Sequence, residues 1–287
     1  MPAVRGRSTL AAGRRPAMIV CLCVVAVALM PGRQVAAAEA LAARVAADYS
    51  IAYAGIDIGN FQFRSKIEGS SYELRSRSRV KLLFGVFKWG SGSLTEGEIG
   101  AEAAPKSFSF DYQIKEKRKS NRVRFRGGHA VAVENEPRVR YTNEHVPLQP
   151  KHLKGVVDPM TAIMELTRGG QRNPCRRSAE IFDGKRRFRL ELSPKGRQVI
   201  NETKSGQPRF GYVCRISYTP IAGHKKSKQV ARLARSRDLE IVLRPVPSAN
   251  IVVPYKILVP TGFGTVSITA DSVAIINSRN QKIAMRY

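Results

Sequence analysis

The amino-acid sequence predicts a mainly β protein in which one curved antiparallel sheet closes around a core or a helix. Apolar and polar residues alternate along about ten to twelve segments of strand length. Turn signals rich in Gly, Asp and Pro separate these segments, and the strand–helix alternation that builds parallel sheets is missing. Strands with one apolar and one polar face favour an antiparallel sheet with one covered face.

The first 38 residues have the three parts of a cleaved secretory signal. Four Arg precede an uncharged apolar run at 17–30, and the small residues 36–38 follow it. The apolar run is about 14 residues long, whereas a membrane-spanning helix needs about 20. We therefore predict cleavage after Ala38 and a single β-rich envelope domain at 39–287, located in the periplasm and not transmembrane. A short N-terminal anchor helix is the alternative.

Removal of this signal changes the charge and the partners that the composition suggests. The full chain has 49 Lys+Arg, 22 Asp+Glu and a formal net charge of +27. The signal contains five Arg and no acid, so 44 basic and 22 acidic residues remain, a net charge of +22. Because an exported protein does not meet nucleic acid, the excess charge is either solvated or faces anionic envelope surfaces.

The signal also contains two of the four Cys, so Cys175 and Cys214 remain in the mature chain. Neither lies in a CxxC pair, and neither has a His or Cys at metal-ligand spacing. An oxidising compartment permits disulfides, and closing a loop of about 40 residues contributes roughly 3–4 kcal/mol. We predict a structural Cys175–Cys214 disulfide; a free nucleophilic or redox thiol is the alternative.

The N-terminal half of the mature chain is predicted to be strands joined by short turns. Residues 39–47 are rich in Ala and favour a short helix or a linker, and Gly90–Ser93 is predicted to be a turn. Arg75, Arg77 and Arg79 share one face of a strand, which is expected to meet solvent or a polar partner. The predicted strands of this half are 49–53, 56–63, 72–83, 108–112 and 123–125.

One helix is predicted in the middle of the chain. Asp158 is the expected N-cap, Pro159 suits the first helical position, and Gly169–Gly170 ends the apolar pattern. Met-bearing helices fill cores, and they also line ligand cavities. The aromatic run 82–89 has the same two possible roles, core packing or lining of a ligand cavity. The candidate cavity residues are Phe84, Phe87, Trp89, Met160, Ile163 and Met164.

The C-terminal half is predicted to begin with a hairpin over an Asp183–Gly184 turn. The stretch 221–234 is basic, and residues 222–226 are predicted to form a loop. Cys214 shares the parity of its aromatic neighbours and is expected to point the same way. The predicted strands are 188–192, 210–218, 239–243, 252–259 and 263–276.

Four segments together resemble a proteobacterial envelope family known as domain of unknown function 3108. They are YxIxYxGIxIG at 49–59, VDPMTA at 157–162, IFDGKRRF at 181–188 and CxIxYxPIAG at 214–223. The resemblance covers nearly the whole mature chain. It implies a periplasmic open barrel or β-spiral around one helix, in a protein linked to envelope integrity. Because the family has no established activity, the resemblance supplies no catalytic residues.

Sequence motifs of catalytic chemistry are not found. The sequence lacks a GxSxG elbow, a P-loop, a GxGxxG, an HExxH and an EF-hand loop, and its four His are scattered. We therefore expect no cofactor, no metal site and no enzymatic activity. The predicted function is non-catalytic binding of a lipid-like or apolar ligand, an anionic envelope polymer or an envelope protein, in support of envelope integrity. A hydrolase or wall-modifying enzyme with a site built from distant residues is the alternative.

Overall fold

Antiparallel strands account for most of the regular structure. The computed structural model describes residues 41–82, 87–169, 173–201 and 205–287, and within them it contains fourteen strands and two α-helices. The helices are α1, Pro159–Thr167, and α2, Lys228–Arg235. The strands are β1 Ala42–Tyr53, β2 Ile56–Glu68, β3 Ser71–Leu82, β4 Phe87–Ile99, β5 Ala103–Ile114, β6 Lys117–Arg126, β7 His129–Glu136, β8 Ser178–Phe182, β9 Arg187–Val199, β10 Phe210–Ala222, β11 Glu240–Val246, β12 Ile251–Pro260, β13 Thr265–Asn277 and β14 Lys282–Arg286.

All strands belong to one sheet, in the order β7-β6-β5-β4-β3-β2-β1-β13-β12-β11-β10-β9-β8, with β14 paired to β13. Every pair is antiparallel, and β1–β13 joins the two ends of the chain. The predicted signal at 1–38 and Phe84 lie outside the described residues, as does the side chain of Phe87.

The sheet curls until its two edge strands, β7 and β8, lie on either side of a narrow seam. The segment before α1 fills this seam: the Val156 N–H donates to the Gly128 carbonyl at 3.1 Å, and the Val157 N–H donates to the Glu180 carbonyl at 2.9 Å. The Asn135 amide bridges the same seam by donating to the Gly184 carbonyl at 3.1 Å. The predicted mainly β fold, an open barrel around a helix, is confirmed.

Helix α1 lies inside the barrel. The Asp158 carboxylate accepts hydrogen bonds from the N–H groups of Met160 and Thr161 at 2.9 and 3.1 Å, as an N-cap does. The helix packs against β3 and β5 from one half of the sheet and against β8 and β12 from the other half. The predicted start of the helix at Pro159 is therefore confirmed, and α1 divides the barrel interior.

Two predictions for the N-terminal half are wrong because small residues were taken for helix or turn formers. Ala42 and Ala47 belong to β1, where their short side chains are buried and Ala47 lies opposite Val273. Gly90–Ser93 lies inside β4 rather than in a turn. There the Ser91 and Ser93 hydroxyls hydrogen-bond across the sheet to those of Ser78 and Ser76, at 3.0 and 2.7 Å. Cross-strand hydroxyl pairs stabilise a sheet that has few bulky side chains.

The basic stretch 221–234 contains α2, which was not predicted. The Ser227 hydroxyl caps the helix by accepting from the Val230 N–H at 3.3 Å. Only Val230 and Leu233 supply the large apolar contacts of this short helix, so its helical period is weak beside the surrounding cations. The C-terminal strand β14 was also missed, because its five residues are too few for a clear alternation.

Gly97 of β4 is a position where the barrel has no room for a side chain. A Cβ there would meet the Tyr72 ring and the Ala104 carbonyl, each at 2.5 Å. We expect Gly97→Ala to lower the free energy of unfolding by about 2 kcal/mol through overpacking. The matched control is Gly92→Ala in the same strand, where the nearest atom lies at 3.6 Å and the change should stay within about 0.5 kcal/mol. Urea denaturation of both variants checks this, and equal losses would contradict it.

Candidate functional site

An apolar cavity of about 800 Å³ lies between α1 and the inner faces of β1, β2 and β9–β13. Its walls are inward-facing aliphatic and aromatic side chains that the strand alternation places on the covered face. Tyr49 and Phe61 meet on one wall with ring centroids 5.8 Å apart. Burial raises the pKa of the Tyr49 phenol, so this hydroxyl stays neutral. Further wall residues are Phe63, Ile67, Leu190, Ile216, Leu239, Ile257 and Ile268.

Several polar residues of the cavity lining, Thr167, Arg168 and Asn250, lie near the C-terminus of α1. Arg168 is the single ionic residue among the lining residues described, and its guanidinium donates to the Gly100 carbonyl at 2.9 Å. Glu165 pairs with Arg168 at 3.3 Å, and the Gly169 N–H donates to the Asn250 carbonyl at 2.9 Å. The cavity therefore has mostly apolar walls and an ionic group at one place, which we call the Arg168 end.

The candidate cavity residues on α1 fall into two groups. Ile163 and Met164 line the cavity. Ile163 is 36% exposed although its helix lies inside the barrel, because its side chain faces this open space. Met160 lies one turn earlier and is 5% exposed, in a core cluster with Phe108 and Phe182. Of the two roles that the sequence left open for Met160, core packing or cavity wall, the structure shows core packing.

Trp89 also lies away from the apolar cavity. The β4 residue beside the start of α1 is Thr95, whose hydroxyl donates to Asp158. Six residues of strand separate Trp89 from that point, or roughly 20 Å at 3.3 Å per residue. Trp89 instead borders an open polar groove of about 850 Å³ together with Tyr112. The cations around this groove are Arg77, Arg79, Lys81, Lys88, Lys115, Arg118 and Lys119.

A buried polar network anchors α1 to the sheet. The Thr95 and Thr161 hydroxyls donate to the two carboxylate oxygens of Asp158, and the Tyr72 hydroxyl lies 2.8 Å from the Thr161 hydroxyl. Asp158, Thr95 and Thr161 are fully buried. Burial raises the pKa of Asp158 and that of Tyr72, and hydrogen bonds to the Asp158 carboxylate oppose the shift. These groups do not reach the apolar cavity, so they hold α1 in place rather than face a ligand.

The predicted disulfide is confirmed. Cys175 and Cys214 are bonded, their Cα atoms lie 5.2 Å apart, and both side chains are buried. Cys214 lies on β10 in a core cluster with Leu192, Ile216 and Leu243, so it points into the barrel. The bond therefore ties the connection between α1 and β8 to the wall of the cavity.

Asp183 lies at the turn between β8 and β9, where the sequence predicted a hairpin. One of its carboxylate oxygens accepts from the N–H groups of Lys185 and Arg186 at 2.9 and 2.7 Å, and the other pairs with the Arg186 guanidinium at 2.7 Å. This pairing raises the pKa of the Arg186 guanidinium. Asp183 acts as the turn residue that an Asp-Gly sequence requires.

A family model described as a protein of unknown function, DUF3108, matches residues 48–271. The chain belongs to the DUF3108 family. The match runs from Asp48 in β1 to Asp271 in β13, so the DUF3108 region contains α1, α2, both bonded Cys and nearly all of the barrel. Strand β14 lies beyond it.

Among solved structures, this DUF3108 protein is similar to a beta-barrel-like protein of domain of unknown function DUF1849 from Brucella abortus. The two are 12% identical with a TM-score of 0.47, and the alignment covers 82% of this chain and 98% of that one. No curated protein matches the chain.

Two further kinds of site were sought in the described part of the DUF3108 chain. No group of three or more His, Cys, Asp or Glu lies close enough together there to hold a metal ion. Neither helix of that part is long and apolar enough to cross a membrane. The apolar cavity and the polar groove beside Trp89 are candidate binding sites on these residues.

Proposed function

We propose that this protein binds a lipid-like amphiphile in the apolar cavity, without catalysing a reaction, and supports the cell envelope from the periplasm. The observation that carries the proposal is the 800 Å³ cavity with apolar walls and a single ionic residue at one end. Ligand cavities are typically 300–1,000 Å³ and mostly apolar, with a few polar groups that fix orientation.

The apolar walls of the cavity favour an acyl chain over a compact polar molecule. Each methylene moved from water into an apolar site contributes roughly 0.8 kcal/mol, so a chain along the walls would supply most of the affinity. The ligand's polar or anionic head would lie at the Arg168 end. A sugar or nucleotide would leave its hydroxyls or phosphates facing hydrocarbon, which costs free energy.

Two observations support the non-catalytic and periplasmic parts of the proposal. The lining residues described include no Asp, Glu, His, Cys or Lys, so they offer no acid–base pair and no activated nucleophile. The Cys175–Cys214 disulfide is typical of proteins that fold in an oxidising compartment. The first favours binding over the alternative of a hydrolase, and the second favours export.

The direct test is organic extraction of protein purified from a periplasmic fraction, followed by mass spectrometry. We expect an acyl-chain compound at a stoichiometry near one per chain. The matched sample is the Ile163→Trp variant, in which the larger side chain narrows the cavity. Equal amounts of lipid in both samples would show that the lipid lies elsewhere.

Filling the cavity should weaken ligand binding without unfolding the protein. Ile163→Trp adds volume where the side chain already faces open space. We expect affinity for a fluorescent fatty acid to fall at least about tenfold, since several methylenes lose their contacts. The control is Val199→Trp on β9, which is 75% exposed and does not line the cavity. Fluorescence titration and thermal denaturation check both variants, and unchanged affinity in Ile163→Trp would contradict the proposal.

A further inference from the structure

Two large apolar side chains are exposed at one end of the barrel. Phe263, in the turn between β12 and β13, is 95% exposed, and Ile56, which follows the turn between β1 and β2, is 70% exposed. The two turns are neighbours, because the Ala54 N–H donates to the Thr265 carbonyl at 3.0 Å. Single exposed apolar residues are normal on a soluble surface, whereas neighbouring ones that form a patch mark a contact site.

A basic helix lies beside this apolar tip. The guanidinium of Arg232 on α2 packs against Gly262 in the β12–β13 turn. Residues 225–237 contain six Lys or Arg and no acid. Lys228, Arg232 and Arg235 are exposed, and none forms an ion pair with the carboxylates that the structure describes. The Lys225 ammonium pairs with Glu144 at 3.2 Å.

The same helix borders the apolar cavity. Leu233 of α2 lines the cavity and packs against the core cluster that contains Leu239 and Leu243. One face of α2 is therefore cavity wall, while its opposite face carries the cations. A surface that bound this helix would lie one helix diameter, about 10 Å, from the cavity.

We propose that α2 and the Phe263 turn dock onto an anionic phospholipid bilayer. Each basic residue near an anionic membrane surface raises the partition coefficient of the protein roughly fivefold. An exposed aromatic side chain enters the headgroup region. The docked face would include residues 225–237, Ile56 and Phe263. Docking would bring the cavity close to a bilayer that could supply its lipid-like ligand. Only this last step rests on the proposed function.

The apolar tip distinguishes a bilayer from a soluble anionic polymer. A polymer such as a wall polysaccharide would satisfy the cations of α2, but it offers no hydrocarbon for the ring of Phe263. Charge and exposed aromatic area lie side by side here, which is the pattern of an interfacial membrane contact.

Co-sedimentation with vesicles tests the docking surface. The full chain should bind vesicles of phosphatidylglycerol and phosphatidylcholine, should bind pure phosphatidylcholine vesicles much more weakly, and should be released by salt. The triple variant Lys228→Gln/Arg232→Gln/Arg235→Gln should lose roughly 100-fold in partitioning. Phe263→Ser should lose about tenfold.

The matched control removes three cations from the other half of the sheet. Lys117→Gln/Arg124→Gln/Arg126→Gln changes exposed residues on β6 that line neither candidate binding site, and it alters net charge by the same amount. We expect it to lose less than about threefold, because these residues lie outside the docked face. Equal losses in both triple variants would overturn the proposal in favour of unspecific charge attraction.

Two further outcomes are decisive. If Phe263→Ser binds vesicles as well as the unmodified protein, the bilayer contact is wrong and an anionic polymer becomes the better partner. Ile163→Trp separates docking from ligand binding, since it narrows the cavity and leaves α2 unchanged. We expect this variant to bind vesicles normally and to lose affinity for the fluorescent fatty acid. Loss of vesicle binding in Ile163→Trp would overturn the assignment of docking to the outer face of α2.

Discussion

Asp158→Ala is expected to lower the free energy of unfolding by about 3–5 kcal/mol. The substitution removes an acceptor that receives four hydrogen bonds, two from backbone N–H groups of α1 and two from the hydroxyls of Thr95 and Thr161. Loss of an N-cap costs roughly 1 kcal/mol, and each buried donor left without a partner costs about 1–3 kcal/mol. Because the site is fully buried, water cannot replace the carboxylate without opening the barrel.

Urea denaturation of the folded chain measures this loss, and an exposed acid provides the control. Asp111 is an acid of β5 whose side chain is 59% exposed and pairs with Arg122 at 2.8 Å. Asp111→Ala should change stability by at most about 1 kcal/mol, as exposed ion pairs usually do. A similar loss in the two variants would contradict the role assigned to Asp158.

Asp158→Asn separates the charge from the hydrogen bonds. Asn caps helices about as well as Asp, so the loss should be smaller, roughly 1–2 kcal/mol at neutral pH.

Burial raises the pKa of Asp158, so the folded protein holds this proton more tightly than the unfolded chain does. The resulting stabilisation is present below the unfolded pKa, near 4, and is lost as the pH rises toward the folded pKa. The stability of the unmodified protein relative to Asp158→Asn should therefore fall over that pH window.

Local signals in the sequence were sufficient for the features that depend on a few neighbouring residues. The Asp158–Pro159 start of α1 and the Asp183–Gly184 hairpin each follow from short-range chemistry, namely capping and turn geometry. The disulfide followed from counting, because the predicted signal contains the other two Cys and leaves Cys175 and Cys214 with one pairing. The polar face of β3 is also confirmed, since Arg75, Arg77 and Arg79 are all exposed.

The position of the cavity could not be predicted in the same way. Alternation shows which side chains point inward, but a cavity depends on how far apart two inward faces lie. That distance is set by the number of strands and by the place where α1 crosses the interior. Both Met160 and Met164 point into the barrel, yet Met160 meets Phe108 and Phe182 whereas Met164 also faces the cavity. The helical spacing of the two residues is compatible with either environment.

Removing the disulfide should affect stability and ligand binding together. The double variant Cys175→Ala/Cys214→Ala is expected to lower the free energy of unfolding by about 4 kcal/mol, because the bond closes a loop with a sequence separation of 39 residues. The variant removes both sulfurs, so neither position keeps a free thiol that could form other bonds. Denaturation of the variant beside the oxidised parent measures the loss, and a change below about 1 kcal/mol would contradict it.

The effect on binding follows from what the bond holds in place. Cys175 lies in the connection after α1, and the Arg177 guanidinium nearby donates to the carbonyls of Glu165 and Arg168 at the end of that helix. Cys214 anchors this connection to β10, whose Ile216 lines the cavity opposite Ile163 and Met164. Without the bond, α1 is held at its start by Asp158 but less firmly at its end. We therefore expect fluorescent fatty acid affinity to fall several-fold at a temperature where the variant is still folded. The control is Gly223→Ala, whose Cβ would clash with the Lys185 carbonyl away from the cavity lining; it should lose stability but retain its affinity.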